Sequence, residues 1–221
     1  MVPATIAFDM DGVLVDSQAV ILESLDHALT THGLSPVPGH LRFEIVGPPL
    51  RAMLLSILGR DAPEELIESC ASAYRAFNDR EGPHRTPVFD GIKRVLQQLE
   101  CIANLIVVTS KRESSAELVL EGTELRRYFT HVFGSPNDGA VVEKSETLKR
   151  AMNRFENVTV LIGDRYHDID AAHHCGIQSI GVAWGYASEN ELLDARAGMV
   201  VNHPVDLLGA IKTLNAIPDP S

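Results

Sequence analysis

Cysteine is scarce in this chain: Cys70, Cys101 and Cys175 are the three present, and no two of them form a Cys-x-x-Cys pair. That spacing argues against a disulfide framework and a thiolate zinc site, and fits a reducing compartment. Cys101 and Cys175 sit among apolar neighbours and read as core fillers. Positive charge is also short. Nineteen Lys and Arg against thirty Asp and Glu leave a formal charge of −11, so nucleic acid is not an expected partner, because phosphate backbones are bound by basic surface. An acidic chain can still bind a small anion, provided the site itself supplies a metal or a lysine. No stretch is long enough to span a membrane. The first apolar run is too short for a signal peptide, lacks a cationic flank and carries Asp9, which makes the cytoplasm the expected location.

What is present, 221 residues with 45% hydrophobic, 22% charged and 5% aromatic, suits one ordinary α/β domain or a domain with a sizeable insertion. The opening stretch Thr5-Ile6-Ala7-Phe8-Asp9-Met10-Asp11-Gly12 is an apolar run that ends in two carboxylates. In extended backbone, residues i and i+2 point to the same side, so Asp9 and Asp11 share one small volume at the end of a strand. Gly12 then lets the chain turn sharply. An Asp-Gly turn accounts for Asp11 and Gly12. It leaves Asp9 unexplained, an ionisable group interrupting a buried run.

Helical spacing and turn signals divide the rest. Asp16-Ser17 read as the cap of a helix over 18–31 that ends at Gly33. Residues 50–58, opened by Pro48-Pro49, and 63–79 also read as helices, and no strand is evident before about Arg85. Gly82-Pro83 and Thr86-Pro87 are punctuation. Thereafter apolar strands (104–109, 131–134, 158–163, 179–183, 199–202) alternate with helices (91–99, 113–121, 145–155, 169–175, 189–195, 205–216). That pattern predicts a parallel sheet covered on both faces. The expected architecture is α/β: a doubly wound, Rossmann-like parallel sheet core over 1–16 and 86–221, with a small helical cap domain inserted at 17–85. The insertion hangs beside the first strand's end, where it can serve as a lid. The tail Pro218-Asp219-Pro220-Ser221 is expected to fray.

In an open parallel sheet, chemistry collects at the carboxyl ends of the strands. There the sequence supplies Asp9 and Asp11, then Thr109-Ser110-Lys111, then Gly163-Asp164 with Asp168 four residues on, and Lys144 ahead of a helix. Each has an ordinary explanation: Thr109-Ser110 as a turn or cap, Asp168 as a helix cap, Lys144 as a solvated lysine. Their convergence on one sheet edge does not. Hard oxygen ligands without His or Cys suit Mg2+. A carboxylate beside such an ion can attack phosphorus and form an aspartyl-phosphate. Metal, lysine, hydroxyl and backbone N–H groups would then neutralise the phosphoryl oxygens.

These residues resemble the haloacid dehalogenase superfamily of phosphatases, in four motifs that follow the family's order: Phe8 to Asp16, Val107-Val108-Thr109-Ser110, Lys144, and Gly163-Asp164-Arg165-Tyr166-His167-Asp168. The resemblance implies Asp9 as nucleophile and Asp11 as general acid/base. Thr109 and the backbone at Ser110 would hold phosphoryl oxygens, and Lys144 would tie nucleophile to phosphate. Asp9, the Asp11 carbonyl and Asp164 would bind Mg2+, with Asp168 assisting. The insertion resembles the cap of the phosphoglycolate phosphatase-like branch, where Gly47-Pro48-Pro49-Leu50 falls at a substrate-facing loop. Gly181 to Tyr186 also resembles that branch. Arg42 and Arg51 are candidate substrate contacts, while Lys149 and Lys111 compete with Lys144. His167, His173 and His174 read as surface or packing residues rather than ligands.

The implied function is a Mg2+-dependent phosphomonoester hydrolase acting on a small soluble phosphate. A sugar phosphomutase is the nearest alternative, disfavoured because such enzymes usually carry Glu-Asp-Ser where this chain has Gly163-Asp164-Arg165. Dehalogenation is disfavoured by the acid at Asp11. A receiver-type signalling domain would phosphorylate an interior-strand Asp and lack the insertion. A silent binding module is not favoured either, since every motif position is filled.

Overall fold

The structure, a computed structural model, describes residues 3–42, 45–137 and 142–217. The tail at 218–221 and part of the loop before Lys144 lie outside the described residues. In chain order the elements are β1 (Thr5–Phe8), α1 (Gln18–Thr31), α2 (Leu50–Leu58), α3 (Glu64–Arg85), α4 (Ile92–Leu99), β2 (Asn104–Arg112), α5 (Glu113–Gly122) and β3 (His131–Ser135). They continue with α6 (Lys144–Arg154), β4 (Val158–Gly163), α7 (Tyr166–Cys175), β5 (Gln178–Val182), α8 (Glu191–Asp194), β6 (Met199–Val201) and α9 (Leu207–Thr213).

Six parallel strands lie in the order β3-β2-β1-β4-β5-β6. Because successive side chains alternate between faces, a strand apolar throughout must be covered twice. Ile6, Phe8, Leu105, Val107, Val160 and Ile162 pack with α4, α5 and α9 on one face. Ala7, Ile106, Val108 and Leu161 pack with α6 and α7 on the other. A third cluster, including Leu25, Leu29, Leu54, Ile67 and Tyr74, lies wholly within α1, α2, α3 and their connections. The helical cap therefore has its own core. No helix among the described residues is long and apolar enough to cross a membrane.

Strand order reverses at β1, which is flanked by β2 and β4. That reversal opens a crevice at the carboxyl ends. Phe8 is in register with Val107 and with Ile162, so the residues that follow all three leave the sheet side by side.

Four local expectations are corrected. α3 does not stop before Gly82-Pro83 but runs to Arg85. Proline forfeits an N–H and crowds the preceding turn. Packing along α1 and α5 offsets that loss, with Gly82 buried and Gly122 lying directly against the Pro83 carbonyl. Lys144 lies inside the first turn of α6 rather than before it. Asp168 sits within the first turn of α7, which begins at Tyr166. Ser17 does not cap α1 with its hydroxyl; its N–H and that of Gln18 donate instead to the Tyr186 hydroxyl at 2.8 and 3.1 Å.

Candidate active site

Asp9 leaves β1, Asp164 leaves β4, and Asp168 comes back toward both from α7. One carboxylate oxygen from each lies within 4.8 Å of the other two. All three residues are buried. Lys144 Nζ enters from α6, 2.7 Å from Asp9 Oδ2 and in contact with Asp168. The other Asp9 oxygen, Oδ1, is buried without a hydrogen-bond partner. Asp164 Oδ2 accepts the Tyr186 N–H at 2.7 Å, and Asp168 Oδ2 accepts that of Arg165 at 3.1 Å. Close packing fixes two glycines here. A Cβ on Gly12, which holds φ +79°, would strike the Asp164 carboxylate, and one on Gly163 would strike Asp168.

Burial sets the charge states. It pushes the Asp9 carboxyl up to about 6, with Asp168 and Asp11 adding to the shift and Lys144 opposing it. Burial, then Asp168 and Asp9, also holds Asp164 well above the usual carboxylate range. Burial would strip Lys144 of its proton, yet the facing Asp168 and Asp9 more than offset that and raise it above an ordinary lysine. Three carboxylates thus face a single ammonium. Together with the unpartnered Asp9 Oδ1, this all-oxygen donor set fits a hard divalent cation. No histidine joins the cluster among the described residues.

Asp11 sits apart from the cluster, its Oδ2 3.3 Å from Lys111 Nζ. Thr109 Oγ1 accepts the Lys111 N–H at 3.2 Å, which orients the loop after β2. Above these groups is a cavity of about 110 Å3 between sheet edge and cap. Asp9, Asp11, Thr109, Ser110 and Lys111 line its floor, and Pro48, Leu50, Arg51, Met53, Tyr74 and Arg75 line its cap side.

Of the residues expected from sequence, Asp9, Asp164, Asp168 and Lys144 come together, with Asp11, Thr109 and Ser110 beside them at the cavity. Arg51 reaches the cavity but is held by Glu64 through two bonds of 2.6 and 2.7 Å. Arg42 does not line it; its guanidinium is spent on Asp26 at 3.0 Å within the cap. Lys149 pairs with Glu146 at the surface. Sequence reasoning missed Arg75 and Asn78, which share a face of α3 with Ala71 and Tyr74. Polar residues at helical spacing on an otherwise apolar face were the available signal. It also missed the pairing of Lys111 with Asp11, the contacts of Arg165 and the hydroxyl of Tyr186.

A doubly wound sheet bearing this acidic edge beneath a helical cap defines a class of capped hydrolase. Residues 6–182 match the haloacid dehalogenase-like hydrolase family, and the chain belongs to it. Among curated relatives, the tyrosine-protein kinase PtkA of Mycobacterium tuberculosis is 35% identical over 207 residues, spanning 91% of this chain and 69% of that one. A 5'-nucleotidase of Pseudomonas aeruginosa is 31% identical over 216 residues, 96% of this chain and 95% of that one. The crystal structure of a predicted phosphatase from Clostridium acetobutylicum superposes with a TM-score of 0.86 at 29% identity, covering 96% of this chain and all of the other. Within the family, the chain is an enzyme of phosphatase type.

Proposed function

We propose that the chain is a Mg2+-dependent phosphomonoester hydrolase acting on a small soluble phosphate, phosphoglycolate-like or a nucleoside monophosphate, through an aspartyl-phosphate. The observation that carries this reading is the Asp9 side chain: one oxygen bonded to a buried lysine, the other buried and unpartnered at the floor of a cavity. In the proposed cycle the Asp9 carboxylate attacks phosphorus while the P–O bond to the leaving group breaks. Asp11 gives its proton to the departing oxygen. Asp11 then takes a proton from water as that water attacks phosphorus. The bond to Asp9 breaks, and inorganic phosphate leaves with Asp9 regenerated. Thr109 and the backbone at Ser110 hold phosphoryl oxygens throughout, and Lys144 keeps Asp9 oriented.

Mg2+ would be held by Asp9, Asp164, the Asp11 carbonyl and, directly or through water, Asp168; when bound it neutralises charge on the phosphoryl oxygens. Residues 17–85 would close the cavity as a cap domain, excluding bulk water. The name of the nucleotidase relative supports a nucleoside monophosphate among the candidate substrates.

The test is a panel of phosphate esters (phosphoglycolate, nucleoside monophosphates, sugar phosphates) with and without Mg2+, run on the natural chain and on Asp9→Asn. Release of phosphate that needs both Mg2+ and Asp9 is expected. Isomerised sugar phosphate without free phosphate would instead indicate a mutase. Because PtkA is named a kinase, ATP with a tyrosine peptide belongs in the panel, and transfer to the peptide in place of water would contradict the hydrolase reading.

A further inference from the structure

Arg165 lies between Asp164 and the helix that carries Asp168, yet its side chain turns away from the acidic cluster and toward the cap. Its Nε donates to Glu191 Oε1 at 2.7 Å, with both side chains almost fully buried, at 11% and 12% exposure. Its Nη1 donates to the backbone carbonyl of Val46, a residue of the cap's own core. Glu191 is itself pinned, accepting the N–H groups of Tyr166 and Ser188 at 3.0 and 3.1 Å. The guanidinium is thus fixed by the sheet domain at one end and bonded to the cap at the other. Planar, charge-assisted bonds of this kind combine strength with direction.

The next cap residue packs against the same side chain. Gly47 holds φ +124°, and a Cβ there would come within 2.7 Å of Arg165 Nη1. Gly47, Pro48, Pro49 and Leu50 then line the cavity opposite Asp9 and Asp11. The backbone N–H of the same Arg165 holds Asp168 Oδ2.

We propose that Arg165 is a positioning residue: its guanidinium, fixed by Glu191, latches the Val46-Gly47 segment of the cap over the Asp9 cavity. This rests on the phosphatase reading only in taking that cavity as the place of reaction. The latch seats the 46–50 segment against the substrate and touches no reacting atom. Its loss therefore weakens substrate capture, while the chemical groups stay where they are.

The test follows amide hydrogen exchange and p-nitrophenyl phosphate kinetics in the full chain with Mg2+. Arg165→Met is expected to speed exchange across 45–54 about tenfold while β4 keeps its protection. KM should rise about tenfold with kcat within about threefold. Glu191→Gln should move both readouts in the same direction by less, and Arg165→Lys should restore part of the protection. Unchanged exchange at 45–54 in Arg165→Met, or an equal rise in β4, would overturn the latch. Asp9→Asn separates the two readings: it should abolish turnover yet keep 45–54 protected. If the natural chain releases no phosphate while Arg165→Met still frees the segment, the phosphatase reading falls and the latch stands.

Discussion

Lys144 Nζ stands 2.7 Å from Asp9 Oδ2 and also contacts Asp168, so one buried ammonium spans the acidic cluster. Removing one partner of a buried ion pair leaves uncompensated charge and costs about 3–5 kcal/mol. Lys144→Met should therefore lower the thermal midpoint of the metal-free protein, and Mg2+ should recover part of that loss. Its kcat/KM should fall about 10²–10³-fold. An unchanged midpoint and rate would show that the contact does neither job.

Asp164 gives the opposite sign. Its carboxylate is crowded by Asp168 and Asp9 and is held above its ordinary range by burial first. Asp164→Asn keeps an oxygen for the Tyr186 N–H and removes the repulsion. The metal-free protein should gain about 0.5–2 kcal/mol, while Mg2+ should no longer raise its midpoint. Calorimetric scans with and without Mg2+ check both halves. A variant that loses stability and still responds to Mg2+ would contradict the assignment.

The pH dependence follows from Asp9, whose carboxyl is raised to about 6 from 3.8, chiefly by burial. The native state then holds a proton that the unfolded chain has already lost. The stabilisation it brings is full below about pH 4 and disappears as pH rises through 6. A cation competes for the same oxygens. The increase in midpoint caused by Mg2+ should be larger at pH 7 than at pH 5, and titration of Mg2+ into weakly buffered protein near pH 6 should release protons. Equal increments at the two pH values would contradict this.

Arg75 lines the cavity, and its closest carboxylate among the described residues is that of Glu68, 4.0 Å away. It is the cavity arginine least neutralised by its neighbours. Arg75→Ala should raise KM about tenfold for an ester bearing a second anionic group, and change it little for a neutral alkyl phosphate. Equal effects on the two esters would remove Arg75 from substrate recognition.

The strand-end acids were legible because Asp9 and Asp164 directly follow apolar strands, and Asp9 in particular has no turn or cap to explain it. The parallel sheet was legible because β1, β2 and β4 are apolar on both faces. The end of α3 was not: local Gly82-Pro83 chemistry signals a stop, and burial against α5 overrides it. Ser17 failed as a cap for a similar reason, since Tyr186, 169 positions away, supplies the oxygen. Arg165 carried no local signal either, because Val46 is 119 positions distant. Arg42 and Arg51 looked free in the sequence, and their acidic partners Asp26 and Glu64 emerged only on folding.

The most direct measurement is to quench the natural chain in acid during turnover of a phosphate ester with Mg2+, and to map phosphoryl adducts by mass spectrometry. The account predicts an acyl phosphate on the peptide carrying Asp9, absent from Asp9→Asn along with turnover. Phosphate release that persists in Asp9→Asn, or an adduct on another residue, would contradict it.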